Sequence, residues 1–557
     1  TTRAPHAANA IATPTMGGNN DRGIDYFFEE QSVIEDVQIT NNIISNNTDD
    51  GVRFIREDDG ITRTVNADVD QRRAVTIANN LISGNAVEAQ QDLPFTASIS
   101  GTGGGGGSGL EIVVRNGTTD TFDVDIRDNT IANQIGDTTP LFDPADPRGM
   151  PRTLGASGIR LHTEADARIE TIVTNNIVIF NGADGFKMSE RFSSISDRRD
   201  IAGQLLGNDF SRNMDDGIDI GVPTGENVVF IIGADGVDAQ GRSLGNILSF
   251  NGDSGIDIGG TAGFTGAGGG TSGSRIAITN NDIDSNGQDA ALITAVGVAS
   301  PLLSARTGSG VKIQVGNSQI SVKDNRIRNN NGAGIDVDAG GDISIRDNII
   351  TFNQNDGVEI QGSTEATILG NLIGSNVGRG IDILVTGNTN AKIGDGLESG
   401  RNNIISNRRE GVYVVTSVTT QDQNVDSGVA LARTGAPGGA PNLLIQVDTN
   451  SIEDNGSLGG LPVSGIRVRI GSSAGVTGSE LVASAFGTIS AIAPGGVADT
   501  AANGRTNARI VNNDFDGNFG DDASFEAFVS TADPQLTNGD WTEDVFDILP
   551  NAYTSDP

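Results

Sequence analysis

The residues best suited to chemistry recur at one position of a short alternating motif. Glycine is followed by an apolar residue, a variable residue and a second apolar residue, as in GIDI at 217–220 and 380–383. If the motif is a strand, the variable side chain points away from the core. In chain order these residues are Asp25, Arg53, Glu111, Arg160, Lys187, Asp219, Asp257, Lys312, Asp336, Glu359, Asp382, Tyr413 and Arg467.

Two acidic sets stand out among these residues. One consists of Asp336, Glu359 and Asp382, and the other of Asp219 and Asp257. Stacked carboxylates repel one another unless a cation, a cationic side chain or protonation relieves them. Ca²⁺ accepts many oxygen ligands in loose geometry, so calcium is predicted as a cofactor on these five residues. A solvated acidic face is the alternative. Four turn carboxylates could contribute: Asp50, Asp184, Asp216 and Asp356.

A mixed basic and acidic cluster offers enzymatic chemistry. Its members are Arg160, His162, Lys187, Asp219 and Asp257. A polysaccharide lyase needs a base that abstracts a proton beside a carboxylate, and a glycosidase needs two carboxyl groups. Asp219 and Asp257 are a candidate pair, and one strand spacing suits retention of configuration. No lyase-type histidine or arginine signature and no dense Asp-Asp motif occurs, so the sequence favours a non-enzyme and leaves the question open.

The elements that position these residues belong to a repeat. The motif N-x-[ILVF]-x-x-N occurs thirteen times, with asparagine at the sixth position in every copy except the one that ends at Gln134. The copies begin at Asn42, Asn80, Asn129, Asn176, Asn208, Asn246, Asn281, Asn325, Asn348, Asn371, Asn402, Asn450 and Asn513. The shortest spacing is 23 residues, which fits three short strands and three corners. Each coil therefore returns beside the previous one and pairs in parallel.

The corners of this repeat have their own chemistry. Asparagine at a fixed corner adopts the left-handed region and can ladder its amide along the stack. The recurrent glycine is predicted to supply a positive φ.

These motifs resemble the repeat of right-handed parallel β-helix proteins, the pectate-lyase-like superfamily. The resemblance covers about residues 19–518 and implies an all-β, single right-handed parallel β-helix of about thirteen to fourteen coils. The superfamily contains lyases, glycosidases, epimerases, adhesins and structural proteins, so the fold does not decide the function.

The repeat also divides the chain. Residues 1–18 are predicted to form an N-terminal extension or arm, 19–518 the β-helix, and 519–557 a C-terminal cap or docking segment. Long insertions border both sides of the strand that carries the charged residues, which predicts a groove along that face; the alternative is that loops simply collect at tolerant corners.

Composition excludes several classes of function. The formal net charge is −36, which leaves no basic footprint for nucleic acid. The chain has no cysteine and only His6 and His162, so thiol chemistry and multi-histidine metal sites are excluded. No apolar run is long enough to span a membrane.

We expect a secreted structural or adhesive protein outside the cell or on its surface, which self-assembles into a filament or layer as a homo-oligomer or polymer. The alternative is a polysaccharide-active enzyme or a glycan-binding adhesin that uses the groove. In that case acidic sugars would bind Arg53, Arg160, Lys187, Lys312 and Arg467.

Overall fold

The structure is a computed structural model whose described part is built from β-strands. It describes residues 22–28, 36–47, 50–57, 73–85, 108–115, 121–134, 137–141, 152–154, 156–164, 168–191, 200–221, 227–259, 275–287, 308–315, 318–338, 341–362, 365–385, 389–395, 397–415, 443–448, 450–456, 466–471, 480–483, 488–492, 506–511, 513–516 and 523–528. The chain forms two compact units, 1–264 with 270–312, and 265–269 with 313–557.

Three parallel sheets run through each unit. We call the sheet of the glycine-led strands face 1, the strands before the asparagine corner face 2, and the three-residue strands after it face 3. Parallel pairing of successive coils on all three faces confirms the predicted parallel β-helix.

The strands of the first unit are as follows. Face 1 consists of Ile24–Phe28, Val52–Glu57, Leu110–Arg115, Ile159–Glu164, Phe186–Arg191, Ile218–Gly221 and Ile256–Gly259. Face 2 consists of Asp36–Thr40, Arg73–Ala78, Thr121–Arg127, Arg168–Thr174, Asp200–Leu206, Asn227–Ile232 and Arg275–Thr279. Face 3 consists of Ile43–Ser45, Leu81–Ser83, Thr130–Ala132, Ile177–Ile179, the bridge residue Asp209, Ile247–Ser249 and Asp282–Asp284.

The second unit repeats this arrangement. Face 1 consists of Ile335–Asp338, Val358–Gly362, Ile381–Val385, Val412–Val415, Ile466–Gly471 and Ala523–Phe528. Face 2 consists of Ser318–Lys323, Gly341–Arg346, Glu365–Leu369, Thr389–Ile393, Leu443–Asp448 and Thr506–Val511. Face 3 consists of Arg326–Arg328, Ile349–Thr351, Leu372–Gly374, Asn403–Ile405, Ser451–Glu453 and Asp514–Asp516.

A few elements lie outside this scheme. The strand Val311–Gln314 contains the boundary between the units, and with it the described chain supplies fourteen face 1 strands, as many as the predicted coils. Asp137–Leu141 pairs antiparallel with Arg152–Leu154. Glu480–Ala483 and Thr488–Ile492 extend face 2 of the second unit as an antiparallel hairpin. Glu398–Gly400 is a short 3-10 turn.

The ends of the chain are only partly described. Residues 1–18, the predicted arm, lie outside the described residues. Within the predicted cap 519–557, Ala523–Phe528 pairs in parallel with Ile466–Gly471 and so continues face 1. Among the described residues, no helix is both long and apolar enough to cross a membrane.

The core is lined by inward side chains at every second strand position. Ile218 and Ile220 are fully buried, as are Ile256 and Ile258 on the next strand, so equivalent aliphatic residues stack along the coil axis. In the first unit, five phenylalanines join this core: Phe54, Phe122, Phe186, Phe210 and Phe230.

Buried amides tie the coils together at the corner between faces 2 and 3. Asn371 Oδ1 accepts hydrogen bonds from Asn348 N at 2.9 Å and Asn348 Nδ2 at 3.0 Å. Asn371 Nδ2 donates to Asn402 Oδ1 at 3.0 Å, so the pattern passes to the next coil. The left-handed residue is the one before the ladder asparagine, as Asn41 (φ 60°) before Asn42 shows.

The recurrent glycine of face 1 has a different role from the predicted one. The prediction of a positive φ was wrong at Gly357, whose backbone is not in the left-handed region. A Cβ there would lie 2.5 Å from Ile373 Cγ2 and 2.6 Å from the carbonyl oxygen of Gly380. Close approach of two coils, rather than backbone conformation, therefore requires glycine.

Candidate active site on face 1

Face 1 presents its charged residues in rows because its strands alternate inward apolar and outward polar side chains. Asp219 is half-buried between the buried Ile218 and Ile220. The parallel register gives the first column, in the first unit: Asp25, Arg53, Glu111, Arg160, Lys187, Asp219 and Asp257. It gives the second column, in the second unit: Asp336, Glu359, Asp382, Tyr413 and Arg467.

Most of the long insertions lie in the connections that directly precede or follow the strands of face 1. Between the described strands, the corner between faces 2 and 3 is usually two residues long, with 233–246 and 394–402 as the exceptions. By contrast, residues 84–109 lead into face 1 and residues 416–442 leave it. The long connections therefore attach along both edges of the charged columns, as a groove requires.

The cations at the start of the first column are already paired. Arg53 Nε lies 2.9 Å from Glu111 Oε2, and Arg160 Nη1 lies 3.7 Å from Glu111 Oε1. Glu111 thus sits between two guanidinium groups. These arginines neutralise a carboxylate of the chain itself, which weakens the expectation that they hold an acidic sugar.

Lys187 is the centre of the first column's acidic cluster. Its Nζ donates to Asp184 Oδ2 at 2.9 Å and to Asp219 Oδ2 at 2.6 Å. Burial opposes the charge of this amine, but Asp184 and Asp219 outweigh it and raise the pKa of Lys187 above its usual value. Lys187 therefore stays an ammonium group and is unsuited to the proton abstraction that a lyase requires.

The predicted carboxylate pair of the first column is divided between two lysines. Asp219 and Asp257 are register neighbours, but Asp257 Oδ2 accepts from Lys312 Nζ at 2.8 Å. Burial raises the pKa of Asp219 to about 6, with Lys187 lowering it and Asp184 and Asp257 raising it. Each carboxylate therefore already has a cation.

His162 lies beside the first column rather than in it. It is half-buried, two residues beyond Arg160, and its register partners are Val113 and Ser189. The predicted cluster thus shares one face, but Lys187, Asp219 and Asp184 form its bonded core, and the register puts His162 in the neighbouring row.

The carboxylates of the first column fit calcium poorly. Asp184, Asp216 and Asp219 each bring one oxygen within 4.8 Å of the others, which is a metal-like spacing. Lys187, however, already donates to two of these three groups. Burial and neighbouring carboxylates also raise the pKa of Asp216, so protonation relieves part of the repulsion.

The second column is organised by a half-buried arginine, Arg379, from the turn before Ile381–Val385. Arg379 Nη1 donates to Asp382 Oδ2 at 2.6 Å and Arg379 Nε donates to Glu410 Oε2 at 3.1 Å. The Tyr413 ring lies 3.9 Å from Arg379 Cζ and is itself buried. Tyr413 therefore fixes the guanidinium and offers no open ring to a ligand.

Protonation of Glu359 reduces the repulsion among the remaining carboxylates of the second column. Burial is the largest cause that raises the pKa of Glu359 to about 8, with Asp336, Asp356 and Asp382 adding to it and a hydrogen bond from Gln361 opposing it. At neutral pH Glu359 is therefore mainly a carboxylic acid. Its register neighbour Asp382 holds Arg379 through Oδ2, while its buried Oδ1 has no hydrogen-bond partner among the described residues.

A family model supports this fold. Residues 207–397 match the model described as the right handed beta helix region. The fold is a right-handed parallel β-helix. No curated protein matches the chain at a significant level.

Solved structures of similar β-helix proteins include two epimerases. The periplasmic alginate epimerase AlgG is 13% identical, with a TM-score of 0.33, over 72% of this chain and 77% of that one. The Azotobacter vinelandii mannuronan C-5 epimerase AlgE6 A-module is 14% identical, with a TM-score of 0.32, over 80% and 88%. At such values these likenesses carry no inference about activity.

Sequence reasoning missed Arg379 and Glu410. Both precede the glycine of the β-helix motif, at the turn position where other coils carry Asp184, Asp216 or Asp356. A basic residue at this position was the available signal for Arg379, because it lies next to the outward carboxylate of its own coil and to the turn residue of the next.

Proposed function

We propose that face 1 binds a polysaccharide outside the cell and cleaves it by acid–base chemistry in the second column. One observation carries the proposal: Glu359, protonated at neutral pH, lies one strand from Asp382, whose Oδ1 has no hydrogen-bond partner among the described residues. Neighbouring parallel strands lie about 4.8 Å apart. Retaining glycoside hydrolysis pairs an acid with a nucleophile at about 5–5.5 Å.

Each residue has a part in this reaction. Glu359 protonates the glycosidic oxygen as general acid, and Asp382 Oδ1, which must turn out of its buried position to reach the sugar, attacks the anomeric carbon. Burial raises the pKa of Asp382, while the charge of Arg379 and its hydrogen bond to the other carboxylate oxygen lower it and so favour the ionised form that the attack needs. After departure of the leaving group, Glu359 acts as base and activates the water that releases the sugar from Asp382.

No metal is used in this proposal. Lys187, Lys312 and Arg379 supply the positive charge that the predicted calcium was meant to supply. Calcium on Asp336, Glu359, Asp382, Asp219 and Asp257 stays a prediction.

The self-assembling structural or adhesive function also stays a prediction. It was based on the regularity of the repeat and on the open ends of the β-helix, which residues 1–18 and 519–557 adjoin, and of these two segments the structure describes only Ala523–Phe528. The polysaccharide alternative is preferred because the residues that carry it are described.

Variants of the second column test the proposal. Soluble neutral and acidic polysaccharides are incubated with the full chain, and new reducing ends are measured. We expect Asp382→Asn and Glu359→Gln to abolish cleavage while circular dichroism stays unchanged. The matched control Asp219→Asn, in the first column, should retain full cleavage. Cleavage that survives in Glu359→Gln would rule out the assigned acid.

A further inference from the structure

Three corners that leave face 3 carry phenylalanine in the left-handed backbone region. Phe180, Phe250 and Phe352 have φ values of 58°, 60° and 59°. Most of the equivalent corners have asparagine, glycine or serine, such as Asn46, Gly84 and Ser406. A bulky residue gains nothing from this conformation, whereas asparagine and glycine adopt it readily. Backbone strain at such a residue points towards a role in function.

The same phenylalanines also expose their rings. Phe352 is 56% exposed and Phe250 is 37% exposed, and Phe180 is half-buried. Each follows an exposed isoleucine by three residues within the pattern N-I-x-x-F-N. These isoleucines are Ile177, Ile247 and Ile349. Strain and exposed apolar surface therefore coincide three times, which marks an interaction surface rather than a packing device.

Arginine accompanies the rings in both units. In the first unit, Arg212 Cζ lies 5.5 Å from the Phe180 ring centre and 6.0 Å from that of Phe250. Within the described part of the chain, the Arg212 side chain contacts these two rings and no carboxylate pairs with it. Arg212 also has a left-handed backbone, with φ 59°.

In the second unit, the ring lies in an open concavity of about 560 Å³. It is lined by Arg326, Arg328, Asn329, Ile349, Thr351 and Phe352. Register places Arg326 beside Ile349 and Arg328 beside Thr351, so two guanidinium groups lie one strand from the aromatic corner. Exposed ring, aliphatic surface and arginine thus recur together in each unit.

We infer that these two sites, the face 3 platforms, bind acidic sugar residues of a polysaccharide. An aromatic face attracts the polarised C–H groups of a pyranose ring, and arginine pairs with a carboxylate through two parallel hydrogen bonds. Local charge selects this occupant, because the described lining of the concavity at Phe352 contains two arginines and no carboxylate. The inference rests on the proposed function for its ligand class, but uses a different face.

Asparagine substitutions test the platforms because asparagine accepts the left-handed corner. Binding of oligogalacturonate, oligomannuronate and their carboxyl-reduced forms to the full chain is measured by calorimetry. We expect Phe180→Asn/Phe250→Asn and Phe352→Asn each to weaken binding at one site about tenfold, with Tm unchanged or raised. Arg212→Gln should reduce the preference for the acidic form. The control Asn133→Ser, at a corner without a ring, should bind normally.

Three outcomes would overturn the inference. These are no binding of either acidic oligosaccharide, unchanged binding in the phenylalanine variants, and a change of sedimentation coefficient instead of sugar binding, which would make face 3 a contact between copies of the chain. Asp382→Asn separates the two proposals, since it should retain platform binding while cleavage is lost. Binding without cleavage in the wild type would leave the platforms standing and remove the proposed function.

Discussion

Lys187 and Arg379 hold comparable places in the two columns, because each links carboxylates of neighbouring coils through one cation. Lys187 joins Asp184 to Asp219, and Arg379 joins Asp382 to Glu410. The columns differ in how the charge of the other carboxylates is neutralised. In the first column, Asp219 and Asp257 each pair with a lysine, whereas in the second column Glu359 carries a proton at neutral pH. This difference favours the second column as the reactive one.

Removal of the Lys187 charge should destabilise the protein, because the neighbouring carboxylates then repel one another. Lys187→Met leaves the oxygens of Asp184, Asp216 and Asp219 within 4.8 Å without their cation. We expect a loss of about 2 kcal/mol in unfolding free energy, less than for a fully buried pair because Lys187 is partly exposed. Urea unfolding measures it. Calcium should restore part of the loss in this variant and leave the wild type unchanged. Equal calcium effects on both proteins would contradict this account.

Glu359 should make stability depend on pH. Its pKa rises from 4.5 in the unfolded chain to about 8 in the folded one. Its stabilising contribution is therefore complete below pH 4.5 and is lost as pH rises through 8. Glu359→Gln should raise stability at pH 8.5 and change it little at pH 4.5, as followed by thermal unfolding. A variant no more stable than the wild type at pH 8.5 would contradict the assigned protonation.

The asparagine corner is the element that holds the coils in register. Asn371→Ala removes two hydrogen bonds from Asn348 and leaves its buried N–H without a partner. We expect a cost of about 3 kcal/mol in unfolding free energy, measured by chemical unfolding. Asn403→Ala, at an exposed position of face 3, is the matched control and should change it by less than about 0.5 kcal/mol. Equal effects would show that the ladder does not stabilise the coils.

The elements were predictable from the sequence because a 23-residue repeat leaves few ways to fold. Strand alternation also identified the outward residues of face 1, and the structure places those of each column in register within its own unit. The pairing within the column was not predictable. Whether Asp219 contacts Asp257 or Lys187 depends on the length and conformation of the side chains. Arg379 belongs to a turn, so strand alternation does not indicate that it contacts the column. The role of Gly357 depends on how closely the next coil approaches it, and the sequence of one repeat does not give that distance.

The net charge of −36 affects ligand binding by the whole molecule. Such a field repels polyanions at long range, so an acidic sugar is retained only where local cations are available. On face 1 the described lysines and arginines of the first column are bound to carboxylates of the chain. At the face 3 platform of the first unit, by contrast, Arg212 lies beside the rings of Phe180 and Phe250 and pairs with no carboxylate of the described residues. We therefore assign cleavage to face 1 and retention of acidic sugars to face 3.

The most direct measurement is proton NMR of the first product formed from a panel of neutral and acidic polysaccharides. We expect new reducing ends whose anomeric configuration is that of the cleaved bond, since Glu359 and Asp382 lie one strand apart. We also expect that Asp382→Asn gives no such product. Unsaturated sugars, inverted configuration or an unchanged panel would contradict the proposed mechanism.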